Sequence, residues 1–275
     1  MAGDSLGSGG NPNVNNASAI SIEHVGKTFA RQGGGEVVAV ENVNISISEG
    51  EFVCLVGPSG CGKSTLMKLV AGLTRATNGA IRFHNEEIVS PRRDIGIVFQ
   101  APILLPWRSA LENVLLPIQI YGLSREKALR RAHELFDLVG LKGFEGSYPH
   151  ELSGGMQQRV AIARALIHDP GMLLMDEPFG ALDAMTRQIM NLELTRIWSA
   201  QKKTVLLITH DIGEAIFLAD RVLVMSARPG TIVETIEIDL PRPRRLSVVG
   251  DVKFGAYVRQ IQQLLGLDEL VEAYA

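Results

Sequence analysis

The chain has 275 residues, 46% of them hydrophobic, which is enough to build a substantial buried core. Its 27 basic and 30 acidic residues leave a net charge of -3, which argues against a surface made to hold phosphate backbones, so no nucleic-acid partner is expected. Two cysteines, Cys54 and Cys61, form neither a zinc spacing nor an extracellular disulfide pattern, so a reducing, cytosolic setting is expected.

Residues 1–18 open the chain with a stretch rich in Gly, Ser and Asn that reads as a disordered tail, lacking the basic start and apolar run of a secretory leader. From Ala19 the pattern alternates. Ile20 and Ile22, then Val38, Val40, Val43, Ile45 and Ile47, sit among polar residues and predict a half-exposed antiparallel layer, with a hairpin turn at Gly33 to Gly35. Phe52 to Val56 is different: every position is apolar, as in a central strand buried on both faces. Runs of the same type recur at Asp94 to Phe99, Met172 to Met175, Thr204 to Thr209 and Arg221 to Met225, separated by helical patterns. That succession predicts an α/β fold with a parallel-sheet core.

Between the second and third of these runs, at about 101–170, a helical insert is expected. Within it Ala128, Ala132, Leu135, Phe136 and Val139 repeat at helical spacing, with Ser124 placed to cap the start and Gly140 to end it. Further on, Thr231 to Leu240 puts Ile232, Ile236, Ile238 and Leu240 on one face of an amphipathic strand. A basic, proline-containing link, Pro241 to Arg245, leads to a last helix around Tyr257 to Leu265, so residues 229–275 read as a small C-terminal extension. No apolar run approaches the roughly 18 residues of a membrane span. Any membrane role would therefore come through partners.

Gly57, Pro58, Ser59, Gly60, Cys61, Gly62, Lys63, Ser64 and Thr65 fit the P-loop pattern, directly after a buried strand and before the helical run Leu66, Leu69, Val70, Leu73. The glycines let backbone N–H groups converge on phosphates, and the helix start adds the positive end of its dipole. Lys63 offers a point charge, and the Ser64 hydroxyl is a candidate Mg²⁺ ligand. Cys61 reads as a small residue that fits the loop, and Cys54 as a buried apolar one.

A second element must hold the metal and activate water. Asp176 and Glu177 end a buried strand, Asp176 as a candidate metal ligand and Glu177 as a candidate general base. His210 follows another strand at the same expected sheet edge, where ligands of open parallel sheets bind, and is a candidate to contact the γ-phosphate and position water. Gln100 follows a third strand, and its amide is a candidate for the metal or the water. The other five histidines, His24, His84, His133, His150 and His168, show no such placement.

Leu152-Ser153-Gly154-Gly155-Met156-Gln157-Gln158-Arg159 is another glycine turn opening a helix, and it is an anion site without an evident occupant in the same chain. The run Ser153 to Gln157 resembles the signature motif of ABC transporter ATPases. With Gly57 to Thr65 as Walker A and Leu173 to Glu177 as Walker B, the resemblance covers nearly all of residues 19–228. It implies a P-loop NTPase fold and hydrolysis of ATP with Mg²⁺. It also implies a homodimer packed head to tail, in which Ser153, Gly154, Gly155 and Gln157 cap the ATP held by the other copy. By the same resemblance Gln100 is the Q-loop glutamine, Ala181-Leu182-Asp183 the D-loop with Asp183 as its acid, His210 the switch histidine and Phe29 the aromatic that stacks on adenine. The family often has tyrosine there; phenylalanine keeps the stacking face and loses a hydroxyl.

After Gln100 the segment Ala101-Pro-Ile-Leu-Leu-Pro-Trp107-Arg108 is apolar yet broken by prolines. In the family this region helps receive the membrane subunit, and Leu-Leu-Pro-Trp followed by Leu111-Glu112-Asn113-Val114 resembles the nitrate, sulfonate and taurine importer branch. Trp107 has two readings, a contact residue or one packed into the helical insert. The resemblance thus implies a peripheral subunit on the cytoplasmic face of the membrane. Its partners would be integral membrane permease subunits and, through them, a solute-binding protein. The alternative is a cytosolic assembly or soluble ABC ATPase not coupled to import.

Overall fold

A computed structural model describes residues 18–31 and 33–266. The expected N-terminal tail lies outside them except for Ser18, which already pairs with Ser48. The strands are β1 (Ser18–Ala30), β2 (Glu36–Ser48), β3 (Phe52–Val56), β4 (Asn78–Phe83), β5 (Glu86–Glu87), β6 (Ile95–Val98), β7 (Met172–Asp176), β8 (Thr204–Ile208), β9 (Arg221–Met225) and β10 (Ile232–Glu237). The helices are α1 (Lys63–Val70), α2 (Ala110–Val114), α3 (Leu116–Tyr121), α4 (Arg125–Leu138), α5 (Gly154–Leu166), α6 (Ala184–Gln201), α7 (Ile212–Leu218) and α8 (Val252–Leu264).

Two sheets form. One is antiparallel in the order β2-β1-β4-β5; the other runs β10-β9-β3-β8-β7-β6, parallel except for β10 against β9. Strand β3 is apolar at every position, and β7, β8 and β9 at all but one terminal position, because both of their faces are covered. Phe52, Cys54 and Val56 of β3, with Leu173, Met175, Val205, Leu207, Val222 and Val224, pack on the helical side with α5, α6, α7 and α8. The intervening Val53 and Leu55, with Met172, Leu174, Leu206, Ile208, Leu223 and Met225, pack against α1 and the antiparallel layer. Alternate residues of one strand thus serve two cores.

The expected helix at 124–140 is α4. Ser124 holds its N-cap position without a side-chain bond to the helix, and Gly140 takes the left-handed conformation at φ 67° just past its end. The sequence pattern does not reveal β4, a six-residue strand whose buried side chains are Ile81 and Phe83, or β5, a two-residue edge element of exposed glutamates.

The C-terminal stretch is more deeply integrated than a small appendage would be. Strand β10 extends the main sheet, and Ile236, Ile238, Leu240, Phe254 and Ile261 all enter the helical-side core. Arg244 is buried beneath it. Its guanidinium donates to the carbonyls of Ile216, Phe217 and Ala219 at the end of α7, and to Ile238. Those are the carbonyls a helix end leaves without intrahelical partners. Arg244→Ala is expected to lower the unfolding free energy by about 3 kcal/mol, seen as an earlier urea midpoint at constant m-value; an unchanged midpoint would show that other groups satisfy these carbonyls.

Candidate active site

Parallel register brings the strand ends together. Leu55 pairs with Ile208, and Ile208 with Asp176, so the residues that follow emerge side by side. After β3 comes the glycine loop. A Cβ at Gly57 would meet the Met225 carbonyl at 2.8 Å, and one at Gly62, where φ is +116°, would meet the Ala39 carbonyl at 2.6 Å. These glycines are therefore required for close passage of the loop between β2 and β9, in addition to exposing amides. Cys61 is buried within it.

Lys63 opens α1 and is buried, and its ammonium folds over the loop to donate to the carbonyls of Gly57 at 2.7 Å and Pro58 at 3.0 Å. Among the described residues no carboxylate forms an ion pair with it. A buried cation held by two carbonyls and, at 4.0 Å, by the Cys61 sulfur, with no anionic partner, suits an incoming polyanion.

Ser64 Oγ lies 3.3 Å from Asp176 Oδ1, to which it donates. Burial pushes the Asp176 carboxyl up from its ordinary value; the Ser64 bond opposes the shift and the neighbouring Glu177 charge adds to it. Among the described residues no group of three or more His, Cys, Asp or Glu side chains could form a metal cage. One hydroxyl beside one carboxylate is the sparse donor set of a hard cation that takes its remaining oxygens from phosphates and water.

Glu177 is held in an uncommon backbone conformation, φ 43°, with its N–H donating to the Ile208 carbonyl at 2.8 Å. Its Oε2 lies 3.0 Å from His210 Nδ1. Gln100 joins them, because a Cβ added at Gly180 would meet Gln100 Nε2 at 3.3 Å and Glu177 Oε2 at 3.4 Å. Three strand ends thus bring Gln100, Glu177 and His210 to one spot.

Three expected elements lie outside that cluster. Ser153 caps α5, accepting from Met156 N at 3.3 Å. The nearest neighbours of Cβ atoms placed on Gly154 and Gly155 are Leu182 and Thr186 of the same chain. Gln157 commits its amide nitrogen to the carbonyls of Pro149 and Leu152. Asp183 caps α6, accepting from Met185 N and Thr186 N, and its bonds to Thr186 come first among the causes that hold its carboxyl below the ordinary value. Phe29 is exposed on β1 opposite Val37, with Lys27 Nζ 5.0 Å from its ring centre. That places it on the hairpin whose Ala39 abuts Gly62.

Several residues play supporting roles that the sequence pattern does not assign. Gln158, buried on α5, donates to the Phe99 carbonyl next to Gln100. Arg164 donates to the carbonyls of Pro102 and Ile103, and buried Asn113 to those of Leu105, Arg108 and Ser109, so the proline-broken segment has a fixed shape. Beside it an apolar groove of about 410 Å³ opens along the edge strand β6, lined by Ile97, Phe99, Ile103, Leu105, Ile120 and Tyr121. Trp107 is 70% exposed, so it is not packed into the helical insert.

A family model described as ABC transporter matches residues 40–180. The chain belongs to that family. It is an ATP-binding cassette and an ATPase. It is 47% identical over 226 residues to the aliphatic sulfonates import ATP-binding protein SsuB of Bacillus cereus, covering 82% of this chain and 88% of that one. To the nitrate import ATP-binding protein NrtD of Synechocystis it is 45% identical over 247 residues, covering 88% and 93%. Among solved structures, the dimeric post-hydrolysis state of the cassette MJ0796 with ADP and Pi superposes with a TM-score of 0.70 at 35% identity, covering 81% of this chain and all of that one.

Behind His210 lies a buried carboxyl, Glu214, which accepts a hydrogen bond from the Thr209 hydroxyl. Burial raises its pKa from 4.5 to about 7, against the Thr209 bond and with the help of the Asp211 charge, while Arg187 and His210 pull it down. The folded cassette therefore keeps a proton that the unfolded chain releases between those two values. The stabilisation that this proton represents is complete below the unfolded value and is lost as pH rises through about 7. Glu214→Gln removes this dependence, so in thermal melts from about pH 5 to 8 the variant's Tm should gain on that of the wild type. Parallel curves would contradict the assignment.

Proposed function

We propose that this cassette is the ATP-hydrolysing subunit of an importer, energising uptake of a small anionic solute of the nitrate, sulfonate or taurine kind through an integral membrane permease. The sulfonate and nitrate relatives support the class of solute. The observation that carries the permease reading is the exposed apolar groove beside Gln100, with Trp107 and Ile103 exposed near it. An apolar surface of this kind marks a contact with another protein, and it adjoins the residues that would sense ATP.

Residues 19–228 would carry the work, with Arg244 of the C-terminal extension supporting α7. The loop 57–65 would cradle the phosphates, Lys63 exchanging its loop carbonyls for phosphate oxygens, and Phe29 would stack on adenine. Ser64 and Asp176, with Gln100 from the neighbouring strand end, would hold Mg²⁺, whose charge would offset that of the phosphate oxygens. Glu177 would take the proton of the attacking water, while His210, whose Nδ1 lies 3.0 Å from Glu177 Oε2, would hold that carboxylate and contact the γ-phosphate. The turn 153–157 of a second copy would close over the same triphosphate, with Asp183 near the seam. That pairing is supported by the position of the turn, whose neighbours in its own chain are Leu182 and Thr186 and not the phosphate loop.

Opening and closing of the pair would move the permease, which would receive solute from a solute-binding protein. Among the described residues no helix is long and apolar enough to cross a membrane, in keeping with a peripheral subunit on the cytoplasmic face.

Glu177→Gln is expected to bind ATP, accumulate as a dimer in gel filtration and hydrolyse on the order of 100- to 10,000-fold more slowly; a monomer in ATP would count against the reading. Trp107→Ala should spare the ATPase rate of the isolated cassette and weaken its association with membrane subunits. Equal co-purification of those subunits with variant and wild type would remove Trp107 from the docking surface.

A further inference from the structure

Arg187 stands on the first turn of α6, just past Asp183, and its guanidinium forks between two loops. One nitrogen, Nη2, donates to the Leu182 carbonyl at 3.1 Å, and the other, Nη1, donates to Asp211 Oδ2 at 3.1 Å. Each end of this fork is anchored further. Asp211 Oδ1 caps α7 by accepting from Glu214 N at 2.9 Å, and Asp211 N donates to Thr209 Oγ1 at 3.0 Å. Thr209 in turn donates to the buried carboxyl of Glu214. His210 therefore sits between two residues whose positions are fixed by side-chain bonds, and its own ring faces Glu177. At the other end, the Leu182 side chain lies 3.8 Å from where a Cβ on Gly154 would sit, at the start of α5.

We infer that Arg187 is a positioning residue that joins the loop 181–183 to the strand end carrying His210, so that seating this loop against a second copy sets the imidazole that holds Glu177. The inference rests on the head-to-tail pairing proposed above. Its physical basis is the planar fork: two N–H groups at a fixed angle reach acceptors on two different loops, so neither loop moves without the other. Lysine at this position would keep the charge and reach only one of them. The pair is also shielded, with 23% of the Arg187 side chain and 34% of that of Asp211 exposed, so screening by water is partial.

The test uses the full chain with Arg187→Lys, Arg187→Gln, Asp211→Asn and the Arg187→Gln/Asp211→Asn double variant. Asparagine at 211 retains an oxygen to cap α7. Steady-state ATPase rates give kcat and KM. Gel filtration with ATP, each change combined with Glu177→Gln, reports pairing, and thermal melts report folding. The expected result is a kcat lowered about 10- to 100-fold in each single variant, Arg187→Lys included, as misplacement of a reacting group by about 1 Å produces. KM for ATP should stay within about twofold, the ATP-driven dimer should persist, and the double variant should be no slower than the slower single one. Full kcat in Arg187→Lys would overturn the fork argument, because charge alone would suffice. Losses that multiply in the double variant, or a rise in KM matching the fall in kcat/KM, would overturn the linkage. A Glu177→Gln chain with Arg187 intact that stays monomeric in ATP would overturn the pairing itself and the inference with it, whereas a dimer with unchanged kcat in all variants would overturn the inference alone.

Discussion

Leu55, Ile208 and Asp176 lie level with one another across β3, β8 and β7, and this register is the constraint from which the site follows. Because the strands run parallel, everything just beyond those three residues emerges at one edge: the glycine loop, Glu177, then Thr209 and His210. A slip by one residue in either of the two pairings would turn the apolar side chains of the slipped strand toward the wrong core, since alternate residues serve different layers. The two cores described by Val53 and Leu55 on one side and Phe52, Cys54 and Val56 on the other thereby lock the chemistry into place. Burial on both faces is what makes the edge reproducible.

Much of this was legible in the chain itself. The five apolar runs could be read as strands because central parallel strands are apolar on both faces apart from their ends, and the loop 57–65 could be read because phosphate binding demands glycine at fixed spacing. Glu177 and His210 were found by the same logic, each ending such a run, and the structure brings them within 3.0 Å of each other. Strand β4 escaped notice since its alternation is confined to Ile81 and Phe83 after Asn78 and Gly79, and β5 since its two exposed glutamates carry no apolar signal. The bond between Arg187 and Asp211 also left no trace, because it joins residues from two separate helix starts through side chains whose sequence context is that of ordinary polar caps. The same holds for Arg244, which looked like part of a basic linker and lies buried at the end of α7.

Burial and strain are concentrated around the same edge. Glu177 takes a left-handed backbone that non-glycine residues seldom adopt, a cost of order 1–3 kcal/mol that the surrounding sheet must offset. Glu214, a few residues beyond His210, is a carboxyl kept away from water, and Asp176 is pushed in the same direction. Each is unfavourable for folding taken alone. Together they leave acceptors whose full use requires a cation or a proton, which is how a site is made ready for phosphate chemistry and at the same time for pH-dependent stability.

The way Lys63 is held bears on turnover. Its ammonium already has acceptors in the carbonyls of Gly57 and Pro58, within the loop it belongs to. The arrival of an anion therefore trades hydrogen bonds for others, and the departure of the product leaves no donor stranded in a buried place. A cation without this fallback would grip its ligand harder and surrender it more slowly. An engine that must let go once per cycle gains from a hand that can close on itself.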